Sequence, residues 1–234
     1  MAKFHTTWTV LPHGPIEKLS DRLWRVEGEL EAMKRVMSIA KRADGTLVIH
    51  NGIALGDAEM SEIDAFGKVS AIVVPNGWHR LDAKAFAQRY PDAKVFCPAG
   101  ARKKVAQVVN VDGAYDDFAN DGSVQLQTLA GTKQSEGVMI VRGESTGLVF
   151  NDALFNMPHG TGFTGFVFRR ITDSTGGPKV SRLFRWVVLA DKAAFRAQLE
   201  QLAKLPQLAH VVVSHHRVIA DDPAGTLARI AATL

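Results

Sequence analysis

Apolar positions along the chain follow two periods. Short runs of consecutive apolar residues, each stopped by a turn former, predict strands covered on both faces, and stretches with apolar residues three or four apart predict amphipathic helices. The sharpest example is Ala71-Ile72-Val73-Val74, halted by Pro75 and Gly77 and followed by a helix over Ala83–Tyr90. Side chains just beyond the carboxyl end of such a strand face the crevice in which α/β proteins bind ligands. Asn76, Trp78 and His79 stand there.

The remaining pattern falls into two successions of strands followed by helices. Trp8–Val10, Leu23–Val26, Arg35–Ala40 and Thr46–His50 read as an antiparallel meander, with turns at His13-Gly14-Pro15 and a hairpin at Asp44-Gly45. Helix Asp57–Phe66, with Met60, Ile63 and Phe66 on one face, leads to the strand at Ala71; strand Lys94–Cys97 and helix Gly100–Val108 close the first succession. In the second, Val124–Leu129, Gly137–Arg142 and Leu148–Phe150 are predicted strands. Lys192–Leu205 is an amphipathic helix, Ala209–Val213 a strand ending at Ser214-His215-His216-Arg217, and Ala224–Leu234 a final helix. The glycine-rich segment Pro158–Gly165 is expected as a loop over a cleft, not as regular helix. Two such halves predict an α/β protein of one domain, 1–234: an αββα sandwich, two mixed sheets face to face with helices outside.

Composition narrows the function classes. With 46% hydrophobic residues in 234, the chain can bury a large core. It contains no apolar run of membrane-spanning length, and Met1 to Thr6 lack the pattern of a secretory leader, so a cytoplasmic protein without a membrane partner is expected. The single cysteine, Cys97, excludes an internal disulfide and reads as a buried strand residue. A net charge of +4, without a basic cluster beyond Arg102-Lys103-Lys104, permits an anionic small-molecule ligand and is weak evidence for nucleic acid, which is not expected as a partner.

Three apolar strands end in groups able to bind metal: Asn76 and His79 after Val74, Asp152 after Phe150, and His215 and His216 after Val213. Imidazole and carboxylate together suit zinc, iron or manganese. A divalent ion held by them would lower the pKa of coordinated water and make hydroxide available near neutral pH. Gly143-Glu144-Ser145-Thr146-Gly147 joins two predicted antiparallel strands and is a hairpin, not a nucleophile elbow. Gly160–Gly165 matches a dinucleotide fingerprint in letters but follows no strand and opens no helix.

The strand order and these endings resemble the metallo-β-lactamase superfamily, and more narrowly its DUF4336 branch, from about Leu19 to the C-terminus. His50-Asn51-Gly52 is similar to that fold's early Asp-Thr-Gly. The His-x-His-x-Asp-His motif falls on Pro75 to His79, where His79 takes the last histidine's place and Asn76 an earlier one; its other ligands are missing. Ala130-Gly131-Thr132-Lys133 replaces the Pro-Gly-His-Thr motif without its histidine. Asn151-Asp152 matches the Gly-Asp motif, and Ser214 to Arg217 the closing Gly-His motif. His216 is preferred, with His215 as alternate, because the family histidine follows its strand by three positions. The resemblance thus implies one metal on His79, Asp152 and His216, a lost first metal position, and a mononuclear hydrolase of an ester, thioester, lactone or phosphoester. Asp152 would be its catalytic group. Asn76, Trp78, Glu136 and His159 are candidate substrate-binding residues in the cleft. The alternative is a metal-free relative that keeps the cleft as a binding pocket.

Overall fold

The computed structural model describes residues 4–30 and 33–234. Met1 to Lys3, part of the stretch searched for a leader, lie outside them. Seven strands form the first sheet in sequence order: β1 (His13–Lys18), β2 (Leu23–Leu30), β3 (Met33–Lys41), β4 (Leu47–His50), β5 (Val69–Val73), β6 (Lys94–Cys97) and β7 (Gly113–Ala114). The pairs from β1 to β4 are antiparallel, as the meander predicts, and β4 to β7 are parallel. Parallel neighbours need crossovers, supplied by α1 (Asp57–Phe66) and α2 (Ala83–Arg89), with the short α3 (Arg102–Val105) before β7.

The second sheet has the order β13-β10-β9-β8, formed by β8 (Val124–Thr128), β9 (Gly137–Arg142), β10 (Thr146–Phe150) and β13 (Leu208–Val212). Between β10 and β13 the chain makes a small two-stranded sheet, β11 (Phe155–Met157) with β12 (Gly177–Lys179), and the helices α4 (Gly162–Phe166), α5 (Arg182–Val187) and α6 (Lys192–Leu202). The last helix, α7, is Pro223–Ala232. Side-chain caps fix the starts of three of these: Ser181 accepts from Phe184 N, Asp191 from Ala194 N and Asp222 from Gly225 N.

Period-2 alternation of fully apolar strands distributes their side chains among three apolar layers. In β4 and β5, Leu47, Ile49 and Ile72 face the helices α1 and α2, where Met60, Ile63 and Phe86 meet them. Their neighbours Val48, Ala71 and Val73 face the other sheet, meeting Met139, Val141, Val149 and Val212. Val138, Ile140, Leu148 and Val211 point outward onto Phe184, Phe195, Leu199 and Leu227 of α5, α6 and α7. This is the αββα sandwich expected from the sequence.

Several local expectations do not hold. Trp8–Val10 is not a strand; Trp8 packs its ring 5.0 Å from that of Phe86 and donates Nε1–H to Leu55 O. The edge strand β1 begins at His13, inside the predicted turn, because a register irregularity between His13 and Ile16 accommodates Pro15. The predicted helix Gly100–Val108 is a 3₁₀ turn over Ala99–Ala101 followed by α3. The glycine-rich segment does enter helix: Gly162, at φ +68°, turns the chain into α4, which continues as a π-helical turn over Val167–Ile171.

Candidate metal centre

The carboxyl ends of β4, β5, β10 and β13 converge at one edge of the two sheets. They deliver Asn51, Asn76 with His79, Asp152 and His215. The Nε2 atoms of His79 and His215 each lie 3.1 Å from Asp152 Oδ1, and the three ligand atoms fall within 4.8 Å of one another. Tetrahedral ligands at about 2 Å from an ion stand roughly 3.3 Å apart, so the spacing fits a divalent cation.

The other ring nitrogens decide what these Nε2 atoms can do. His215 Nδ1 is 2.7 Å from the backbone oxygen of Lys34, which only accepts, so Nδ1 carries the proton. His79 Nδ1 is 3.2 Å from Asn51 Oδ1, and Asn51 is oriented by its own donation from Nδ2 to Val36 O. Both imidazoles are therefore Nδ1–H tautomers when neutral. Their Nε2 lone pairs both aim at a carboxylate oxygen, an arrangement that needs a cation or added protons between them. Burial pushes the Asp152 carboxyl up, but the adjacent His79 and His215 outweigh it and hold the group well below the usual range. Burial lowers His215, yet its hydrogen bond to Asp152 prevails and raises it.

Asn76 is the hub behind these ligands. Its Oδ1 accepts from the backbone N–H groups of Trp78 and His79, closing the turn that presents the His79 ring. Its Nδ2 donates to Asp152 Oδ2 and to Glu136 Oε1, both at 2.7 Å. Glu136 is fully buried; burial first, and then the charge of Asp152, push its carboxyl well above the ordinary range and favour its neutral form. His50, also buried, is driven down to about 3 by desolvation and by His79 and is neutral.

In front of the ligands opens a cavity of about 430 Å³ lined largely by apolar side chains, among them Leu30, Met33, Leu81, Phe155, Phe168 and Phe184. Asp152, His79, His215 and Asn51 form part of its wall, and Trp78, half exposed, stands in it with Lys104 Nζ 4.6 Å from its ring centroid.

Four sequence expectations change. His215, not His216, meets Asp152. The strand β13 ends at Val212, one residue earlier than the apolar run implies, so three positions on is His215. His216 has φ +67°; its carbonyl accepts from Arg25 Nη1, and Asn156 pairs with its backbone. Asn76 and Glu136 are sealed behind the ligands with no surface in the cavity, so neither can touch a substrate. His159 is exposed, bonds Thr175 through Nδ1 and does not line the cavity. What the sequence reading missed was Asn51 and the Lys34 carbonyl as orienting groups, and α5 as a cavity wall. Asn51-Gly52 following an apolar strand was a usable signal for the first; a backbone carbonyl leaves none.

No family model and no curated protein matches the chain. Solved structures do. A crystal structure of the DIM-1 metallo-β-lactamase exposed to ceftazidime superposes with a TM-score of 0.63 at 11% identity, covering 96% of this chain and 99% of that one. A metallo-β-lactamase from Hirschia baltica gives 0.58 at 15% identity, covering 94% and 98%. The chain has the metallo-β-lactamase fold. At these identities the likeness extends to the fold alone.

Proposed function

We propose that the protein is a divergent, mononuclear member of the metallo-β-lactamase superfamily that hydrolyses an ester, thioester, lactone or phosphoester bearing an apolar portion. The observation that carries this reading is the convergence of His79 Nε2, Asp152 Oδ1 and His215 Nε2 on one point at the wall of an apolar cavity. Three protein ligands leave one coordination position open for water or substrate, the pattern of catalytic sites. His79, Asp152 and His215 would hold zinc, iron or manganese, which when bound would supply Lewis acidity at neutral pH.

The chain's own residues do the rest. Asn51 and the Lys34 carbonyl fix the tautomers, so both Nε2 atoms are free to bind. Asp152 remains ionised and contributes the one negative charge, while Asn76 holds its second oxygen. The position that a first metal occupies in dinuclear relatives is taken over, in this reading, by the Asn76 amide between Asp152 and the neutral Glu136. That favours a single ion. The apolar cavity excludes water around the reacting bond and selects a substrate with a hydrocarbon portion.

Elemental analysis of protein purified without chelator, followed by assay of short acyl esters, thioesters, lactones and phosphodiesters with zinc, iron or manganese supplied, tests the proposal. The expectation is at most one metal per chain and metal-dependent turnover. Two tightly held metals would overturn the reading of Asn76. A second reading, a metal-free binding protein, is favoured by the same amide: Asn76, His79 and His215 together surround Asp152 with donors when the histidines are protonated. No metal uptake from any of the three ions would establish it.

A further inference from the structure

The face of the molecule around the cavity mouth is apolar where a soluble surface is ordinarily polar. Phe163 is 82% exposed and Trp186 71%. Phe166, Ile171, Leu183 and Val187 are each about half exposed, and all six lie on α4, its π-helical continuation and α5. These elements adjoin: Arg182 N donates to Thr172 O, and the Arg182 guanidinium to the carbonyls of Arg170 and Ile171. Contiguous exposed apolar area of this kind marks a surface that something covers.

Charge identifies the occupant. Residues 163–187 contain five basic side chains (Arg169, Arg170, Lys179, Arg182 and Arg185) and one acidic, Asp173, a net of +4 that equals the formal net charge of the entire chain. The rest of the protein is balanced. Arg169 and Arg170 are exposed between Phe168 and Ile171, and the Arg182 guanidinium lies 5.9 Å from the Trp186 ring centroid. Aromatic side chains interleaved with arginines on short helices are the composition of an interfacial, anionic lipid-binding surface. A second copy of this chain would set these cations against their own kind, since a symmetric contact presents the same patch twice. The face is also continuous with the cavity, because Leu183 and Val187 belong to both.

We propose that α4, the π-helical turn and α5 dock on an anionic lipid surface, so that the apolar cavity opens toward the bilayer and receives an amphiphile from it. The proposal departs from the sequence expectation of no membrane partner, which rested on the lack of an apolar run of membrane-spanning length; docking on a surface needs no such run. The proposal stands apart from the hydrolase reading, since docking needs neither metal nor turnover.

The test is co-sedimentation of the full chain with vesicles of phosphatidylcholine alone and of phosphatidylcholine mixed with phosphatidylglycerol. Binding is expected to the mixed vesicles only, to weaken with added salt, and to shift Trp186 emission to the blue. Arg169→Ala and Arg170→Ala should each weaken partitioning about fivefold, the value of one basic residue near a charged bilayer. Phe163→Ser with Trp186→Ser should abolish it. These side chains are exposed, so circular dichroism and melting should be unchanged. Wild-type protein that stays in the supernatant with anionic vesicles overturns the proposal. So does a concentration-dependent dimer in sedimentation velocity that the same double substitution dissociates.

Discussion

The wall of the cavity that carries the ligands and the helices that form its mouth are built in opposite ways. Every side chain of the ligand cluster is anchored to rigid elements: His215 to the Lys34 carbonyl of β3, His79 to Asn51 after β4, and Asp152 to Asn76 after β5. A direct backbone bond from Val36 N to Ser214 O joins β3 to the loop that carries His215. The mouth instead exposes its large side chains: α4 buries only Gly165, the π-helical turn buries none of its residues, and α5 is held through Phe184 in the outer layer and by Lys133 Nζ donating to Val187 O. Preorganised groups suit an ion with strict geometry, while a loosely held apolar rim suits a ligand whose chemistry is mostly hydrocarbon.

The comparison breaks most sharply at Asp152. Asp152→Asn removes the only anionic ligand, and bound metal should fall from at most one per chain to none, with hydrolysis lost and the fold retained; unchanged metal content would remove Asp152 from the site. Lowering the pH should empty the same site. Because the Asp152 contact raises His215, protons compete for its Nε2 already above the ordinary 6.5, so metal should leave as the pH drops through about 6. Retention down to about pH 4 would count against histidine ligation.

Next in size is a matched pair of truncations. Phe195→Ala, in the layer under α6, should lower stability by roughly 3–5 kcal/mol, whereas Phe163→Ala should stay within about 0.5 kcal/mol in the same denaturant titration. Equal costs would mean that the mouth is packed like the core. The last effect is read as a slope and belongs to Glu136. Its folded-state pKa is raised above the ordinary 4.5, so wild type is most stable relative to Glu136→Gln below that value and loses stability as pH rises toward the raised pKa. Melting curves should therefore show the Gln variant gaining on wild type from pH 5 to 8. A pH-independent difference would mean that Glu136 is ionised throughout.

Fold and ligand set were legible in the sequence to different depths. Strands such as Lys94–Cys97 and Gly137–Arg142 announce themselves because both faces are buried and the apolar run has no competing period. His79 and Asp152 stand out because each follows such a run. The choice between His215 and His216 turned on whether Val213 continues its strand, and apolarity cannot report that: Val213 is buried outside the strand all the same. Helices α4 and α5 went unread because exposed phenylalanines and tryptophan on a short helix mimic neither a core helix nor a loop.

Asn76 precedes Gly77, the dipeptide whose missing side chain most readily lets the following backbone nitrogen reach an asparagine's amide carbon. Here that amide is pinned at both ends, its oxygen by two N–H groups and its nitrogen by two carboxyls. Swinging into attack would break four hydrogen bonds at once, so Asn76 is shielded from the slow loss of ammonia to which unconstrained Asn-Gly pairs succumb. Were it to occur in a transiently opened chain, the aspartate formed would face Asp152 and Glu136 as a third carboxyl. The lifetime of the centre in storage is then governed by how often this one turn opens.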